Sequence, residues 1–138
     1  MRHLLTALTL LAAVPAARAQ SSALAAAAER ARTAWVGHDA AALVAESPRL
    51  LVQLPATDPS VALGPAQAAA LLDDFMAQAT EVETTVRAAR VVEPGRGYVE
   101  LERKYRIQGT QEVRIQSLLL GYRESRTGWV LVELRVVG

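Results

Sequence analysis

Arg103 and Tyr105 are the residues of this sequence with the most specific chemical potential. Over residues 98–107, apolar and polar side chains alternate, which is typical of a strand with one buried and one solvated face. The alternation places Arg103 on the apolar face, beside Leu101 and Tyr105. A buried guanidinium needs an anion, so three explanations stay open: an ion pair with Glu46 or another carboxylate, a β-bulge that turns the side chain outward, or the acid group of a ligand. Tyr105 would add a hydroxyl to such a ligand site.

His38 is the second residue with chemical potential. The chain has two histidines, and the other one, His3, lies in a predicted export signal. A single remaining histidine excludes a two-histidine metal site and leaves one imidazole for acid–base chemistry. His38 follows Gly37 in a predicted loop, where it is either an exposed side chain or a base that needs a pocket and a partner. Our candidate ligand-binding residues are Arg103, Tyr105, Trp35 and His38.

Patterns that dictate a reaction are missing from the sequence. Asp73 and Asp74 are adjacent on a predicted helix, so their side chains diverge by about 100° and do not form a carboxylate pair. The sequence contains no Gly-x-Ser-x-Gly elbow, no glycine-rich phosphate loop and no zinc-ligand spacing. We therefore predict no catalytic residue, no metal site and no cofactor.

The first nineteen residues have the pattern of a signal peptide. Arg2 provides a basic start, an apolar run follows, and Ala17 and Ala19 form the small-x-small pattern of a signal peptidase site. We predict cleavage before Gln20, a single domain over residues 20–138, and a periplasmic or secreted location. The apolar run is too short for a membrane-spanning helix, so the sequence predicts no membrane anchor.

Charge and cysteine content narrow the partners further. Removal of residues 1–19 takes away two of the 15 basic residues and none of the 14 acidic ones, so the net charge of the mature chain is near −1. This balance provides no long-range attraction for nucleic acid. The chain has no cysteine, so an exported domain must be stabilised by apolar burial.

Three helices are predicted before the sheet. Residues 21–36 carry an apolar stripe at helical spacing, and Trp35 anchors that stripe. Asp39 can cap a short second helix, and residues 49–54 form a short strand. Pro65 opens the third helix, where its missing N–H costs nothing. The apolar stripe of the third helix predicts that it covers a sheet.

Four long strands follow, and glycine-containing turns separate them. The predicted strands are residues 81–92, 98–107, 112–122 and 129–137. Simple alternation in the last strand puts Val130, Val132, Leu134 and Val136 on one face, and Trp129 and Leu131 on the other face. Because Trp129, Leu131 and part of residues 118–120 then face outward, we predict a homodimer that forms through the sheet.

The order of these elements resembles that of the nuclear transport factor two-like superfamily. The resemblance depends on Trp35-x-x-His38-Asp39, on the helix that opens at Pro65, and on the closing Gly128-Trp129-x-x-x-Glu133-Leu134-Arg135. It covers nearly all of residues 21–138 and is strongest to small exported bacterial proteins that contain a domain of unknown function. The resemblance implies an α+β, cystatin-like cone, with a curved antiparallel sheet of four long strands plus a short one wrapped round three N-terminal helices. The superfamily includes ketosteroid isomerase, scytalone dehydratase and polyketide cyclases as well as binding proteins, but no catalytic residues of these enzymes match this sequence.

Two functions remain open from the sequence. The first is an exported, non-catalytic binding module for a small apolar acid or a protein partner. The alternative is a cone-pocket isomerase, dehydratase or cyclase. An open cavity where Arg103, Tyr105 and a carboxylate converge would favour the enzyme or a small ligand, whereas a cone filled by Phe75, Met76 and Trp35 would disfavour both.

Overall fold

Three helices and five strands form the chain, as a computed structural model of residues 13–138 shows. The elements are α1 (Ala13–Val36), α2 (Ala40–Val44), β1 (Leu51–Gln53), α3 (Pro65–Met76), β2 (Ala79–Glu93), β3 (Arg96–Ile107), β4 (Val113–Ser125) and β5 (Gly128–Val137). Residues 1–12 of the predicted signal peptide lie outside the described residues. Among residues 13–138, no helix has the length and apolar character needed to cross a membrane.

Helices α2 and α3 begin at the residues that the local sequence signals predict. The backbone N–H of Ala42 donates to the Oδ1 of Asp39 at 3.0 Å, which confirms the cap of α2. Pro65 is the first residue of α3, and the Oε1 of Gln67 accepts from the N–H of Gly64 at 3.3 Å. Helix α1 begins before residue 21, because the alanine-rich segment preceding it also favours helix.

The sheet order is β1-β5-β4-β3-β2, and the four long strands are antiparallel as predicted. The short strand β1 is different, because it pairs with β5 in parallel and makes the sheet mixed. The predicted sheet of four long strands plus a short one is therefore confirmed, and the orientation of the short strand, which the sequence left open, is parallel. Parallel neighbours need a long connection, and here everything from α3 to β4 lies between the two strands in the chain.

The core lies between the helices and the face of the sheet that we call the inner face. This face carries Val99, Leu101, Leu118, Leu120 and Leu134, all of them buried. The buried stripe of α1 consists of Leu24, Ala27, Ala28, Ala31 and Trp35, and that of α3 consists of Ala68, Leu72 and Met76. Helix and sheet approach so closely at Gly97 that a Cβ there would lie 2.8 Å from the Cδ1 of Leu24.

A β-bulge in β5 determines which face its first residues occupy. Gly121 pairs with Glu133 and the next residue of β4, Tyr122, pairs with Leu131, so Val132 is an extra residue. Because the extra residue reverses the alternation, Trp129 and Leu131 are buried in the same core as Leu134. The prediction that Trp129 and Leu131 face outward is therefore wrong.

Candidate functional site

A buried ion pair between Glu81 and Arg103 forms the centre of the candidate site. The Arg103 side chain is 1% exposed and that of Glu81 is 4% exposed. The Nε of Arg103 donates to the Oε2 of Glu81 at 3.1 Å, and the Nη2 donates to the Oε1 of the same carboxylate. Such a two-pronged contact matches the planar guanidinium to the carboxylate. Of the three explanations for an inward arginine, a carboxylate partner agrees with the structure, and that partner is Glu81 rather than Glu46.

Polar and aromatic neighbours complete the environment of the guanidinium. Its Nη1 donates to the Oε1 of Gln116 at 3.1 Å, and Gln116 is itself buried. The Cζ of Arg103 lies 4.2 Å from the ring centroid of Tyr105, 5.1 Å from that of Trp35 and 5.5 Å from that of Phe75. Aromatic faces carry partial negative charge, so these rings replace part of the lost hydration. We call Glu81, Arg103 and Gln116 with these three rings the arginine cluster.

His38 contacts this cluster from the loop between α1 and α2. Its Nε2 lies 3.2 Å from the Oε1 of Glu81, and its side chain is 30% exposed. His38 has a positive φ of 51°, and its N–H donates to the carbonyl of Trp35 at the end of α1. A side chain at this helix end therefore has a buried carboxylate as a partner, which the loop position in the sequence did not predict.

A cavity of about 410 Å³ lies beside the arginine cluster, and we call it the mouth cavity. Arg103, Tyr105 and Gln116 line one part of it. Apolar side chains that line it include Leu54, Phe75 and Ile107. Its volume lies within the range of small-molecule sites.

The four candidate residues come together, but they do not share one surface. Arg103 and Tyr105 line the mouth cavity, whereas Trp35 and His38 do not. Trp35 is a buried member of the arginine cluster, and its ring centroid lies 6.3 Å from that of Phe75. Met76 is also buried in the core, so much of the cone interior is filled.

Arg114 is a cavity residue that the sequence analysis missed. It lines the mouth cavity, and its Nε donates to the Oε1 of exposed Glu112 at 2.9 Å. The hydrogen bond that Arg114 donates to Glu112 raises the pKa of Arg114, and Tyr105 is close enough to contribute. The available signal was weak: Arg114 is two residues before Gln116, and therefore on the inner side of a strand.

Metal binding has no support in the part of the chain that the structure describes. Among residues 13–138, no group of three histidine, cysteine, aspartate or glutamate side chains is placed to hold an ion.

Comparison with known proteins identifies the fold. No protein-family model matches the sequence, and no curated protein matches it. Three similar solved structures come from bacteria. A ketosteroid isomerase-like protein from Erwinia carotovora atroseptica has a TM-score of 0.70 and 17% identity, over 85% of this chain and 94% of that chain. A proposed dehydratase of the nuclear transport factor two-like family from Streptomyces avermitilis has a TM-score of 0.66 and 12% identity, over 86% and 95%.

The third structure is a domain of unknown function with a cystatin-like fold from Nostoc punctiforme. It has a TM-score of 0.66 and 18% identity, over 86% of this chain and 76% of that chain. The predicted fold is therefore confirmed: the chain has the cystatin-like α+β fold of nuclear transport factor two-like proteins. Identities this low establish the fold alone, since that fold supports both enzymes and binding proteins.

We expect Glu81→Gln to lower the free energy of unfolding by about 3 to 5 kcal/mol, because it leaves the buried Arg103 charge without a counter-charge. Urea unfolding of the purified variant measures this change. Glu83→Gln is the control, since Glu83 is exposed and lies 3.9 Å from Lys104. In the double variant Glu81→Gln/Arg103→Met, the loss should be smaller than the sum of the two single losses. Equal stability of Glu81→Gln and the wild type would contradict the structural role of the pair.

Proposed function

We propose that this protein is a non-catalytic binding module for a small apolar acid, which occupies the mouth cavity. The supporting observation is that Arg114 and Tyr105 line the same cavity as the apolar side chains of Leu54, Phe75 and Ile107. The acid group would contact Arg114 and Tyr105, and the hydrocarbon part would contact the apolar wall. A few polar groups in a mainly apolar cavity are typical of a small-ligand site.

Charge distribution determines which arginine recognises the acid. The charge of Arg103 is balanced by Glu81, and three of its five N–H groups already donate to Glu81 and Gln116. The partner of Arg114 is the exposed Glu112, and an exposed ion pair contributes little to the stability of a protein because water screens it. A ligand carboxylate can therefore replace Glu112 at Arg114 more easily than it can replace Glu81 at Arg103. In this proposal Arg103 does not recognise the acid but positions Gln116 and Tyr105, which line the cavity.

A cone-pocket isomerase, dehydratase or cyclase is the second candidate. The contact between His38 and the buried Glu81 favours it, because a carboxylate can orient an imidazole that acts as a base. Two observations disfavour it: His38 does not line the mouth cavity, and Arg103 holds the Glu81 carboxylate. Turnover of an enone or hydroxy acid by the wild type, and its loss in His38→Ala, would establish this candidate.

We expect octanoate to bind more tightly than 1-octanol, because only octanoate carries the acid group. The change Arg114→Gln should weaken octanoate binding about three- to tenfold and leave 1-octanol binding unchanged, since it removes one charged contact. Isothermal titration calorimetry at low salt measures both dissociation constants.

Arg87→Gln is a matched control for Arg114→Gln. Arg87 is also exposed and also paired with a glutamate, since its Nη2 donates to the Oε1 of Glu102 at 2.8 Å, but it does not line the mouth cavity. It should bind octanoate like the wild type. Equal losses in the two variants, or no octanoate binding at millimolar concentration, would rule out the mouth cavity as an acid site.

We also propose that the protein is exported and cleaved before Gln20. Residues 16–19 are exposed, whereas Gln20 contacts the domain. The Nε1 of Trp129 donates to the carbonyl of Gln20 at 3.3 Å, and the Nε2 of Gln20 donates to the Oε2 of Glu124 at 3.0 Å. Cleavage before Gln20 would therefore keep every one of these contacts.

Expression in a Gram-negative host should yield a periplasmic protein whose intact mass corresponds to residues 20–138. Ala19→Arg should block cleavage because signal peptidase needs a small residue at this position, whereas Arg18→Gln should be processed normally. An uncleaved chain in the cytoplasm would contradict the proposed export.

Self-association through the outer face of the sheet remains part of the proposal, on different residues from those first predicted. Ile115 is 54% exposed and Val137 is 43% exposed, and Val137 pairs with Ser117, which lies between Ile115 and half-buried Leu119 on β4. We expect a homodimer in light scattering at tens of micromolar and a monomer for Ile115→Lys, because the new charge would be buried. Val61→Lys, in an exposed loop, should remain dimeric. A monomeric wild type would refute this interface.

A further inference from the structure

A second cavity lies between α1, α2 and the start of β5, and it shares no lining residue with the mouth cavity. It has a volume of about 810 Å³, and we call it the helix groove. Small side chains leave this space open, because α1 contributes Ala27, Ala31 and Ala34 to the lining. Trp129 and Leu131, which the bulge in β5 brings to the inner face, also line it. The groove is thus a mainly apolar site of small-molecule size.

Tyr122 provides a polar group in this apolar lining. It lines the groove, and its side chain is 7% exposed. Burial raises the pKa of Tyr122 to about 12. The hydroxyl therefore keeps its proton at neutral pH and can donate a hydrogen bond.

Ser47 is a second hydroxyl residue in the lining. It is buried, and its Oγ has no hydrogen-bond partner within the described part of the chain. The groove thus combines an apolar surface with two hydroxyl-bearing side chains, Tyr122 and Ser47, and the Ser47 hydroxyl is buried without a hydrogen-bond partner in the described residues.

The charges at the rim do not favour a charged ligand. Glu29 is paired with Arg32 at 2.9 Å, and the Oδ1 of Asp39 accepts from the N–H of Ala42. Arg30 and Glu46 are the other charged residues of the lining, and they have opposite signs. A ligand with a net charge would therefore gain little at this rim.

We propose that the helix groove binds a neutral, elongated apolar molecule with a carbonyl oxygen, which accepts a hydrogen bond from the hydroxyl of Tyr122. The bound molecule would contact the alanines of α1 along its length. This site is independent of the acid proposed for the mouth cavity, so either proposal can fail without the other.

The two tryptophans allow a test that separates the two cavities. Trp129 lines the groove, whereas Trp35 is part of the arginine cluster and does not line the groove. In protein labelled with 5-fluorotryptophan, we expect 4-phenylcyclohexanone to shift the fluorine resonance of Trp129 and not that of Trp35. The hydrocarbon phenylcyclohexane should bind more weakly, because it cannot accept a hydrogen bond.

Two substitutions then test the groove and its hydroxyl. Tyr122→Phe removes only the donor, so the affinity for 4-phenylcyclohexanone should fall about three- to tenfold while that for phenylcyclohexane stays the same. Ala42→Phe places a large side chain in the groove from the exposed surface of α2 and should abolish binding of both. Ala41→Phe is the matched control, since Ala41 is also exposed on α2 but does not line the groove.

Three results would overturn the proposal. The first is the absence of a Trp129 shift at saturating 4-phenylcyclohexanone. The second is full retention of ketone binding in both Tyr122→Phe and Ala42→Phe. The third is a Trp129 resonance that shifts with protein concentration in the absence of the ketone, which would assign the groove to a second copy of the chain. Circular dichroism spectra that match the wild type would show that the variants are folded.

Discussion

Burial of the Arg103 charge is the constraint on which much of this structure depends. A guanidinium that is 1% exposed has lost almost all of its hydration, and that loss would cost several kcal/mol without compensation. Glu81 supplies the counter-charge, and Gln116 accepts a further hydrogen bond from the guanidinium. Three aromatic rings make the remaining contacts. Residues from α1, α3, β2, β3 and β4 must therefore come together at one point. An interaction with so many partners favours one arrangement of helices on the sheet over others.

The same cluster explains why the mouth cavity does not extend further into the interior of the cone. The interior between α1, α3 and the sheet is filled by Met76 and by the arginine cluster, which includes Trp35. Open space therefore remains beyond Tyr105 and Gln116. This arrangement limits the chemistry of the mouth cavity, because the carboxylate nearest to His38 already holds Arg103. A fold that supports both enzymes and binding proteins is thus combined with an interior in which the buried acid has a structural partner.

β-Bulges determine where three of the residues discussed above lie, namely Glu81, Trp129 and Leu131. A regular hairpin that starts at Glu93 and Arg96 would pair Glu81 with Gln108, but three register shifts between β2 and β3 pair Glu81 with Tyr105 instead. The bulge at Val132 similarly brings Trp129 and Leu131 to the inner face, where they line the helix groove. Each bulge moves the pairing by one residue and reverses the face of the residues beyond it.

Local patterns in the sequence determined the helices, the four long strands and the inward position of Arg103, because caps, turns and alternation act over a few residues. They also determined that an inward arginine needs an anion, although not which one. Only the tertiary structure decided that Glu81 is this anion, that His38 contacts it, that β1 is parallel to β5, and that Trp129 lies on the inner face. These features depend on bulges and on contacts between residues far apart in the chain. Local periodicity does not encode such contacts, because a bulge is favoured by the packing of the whole sheet rather than by the residues beside it.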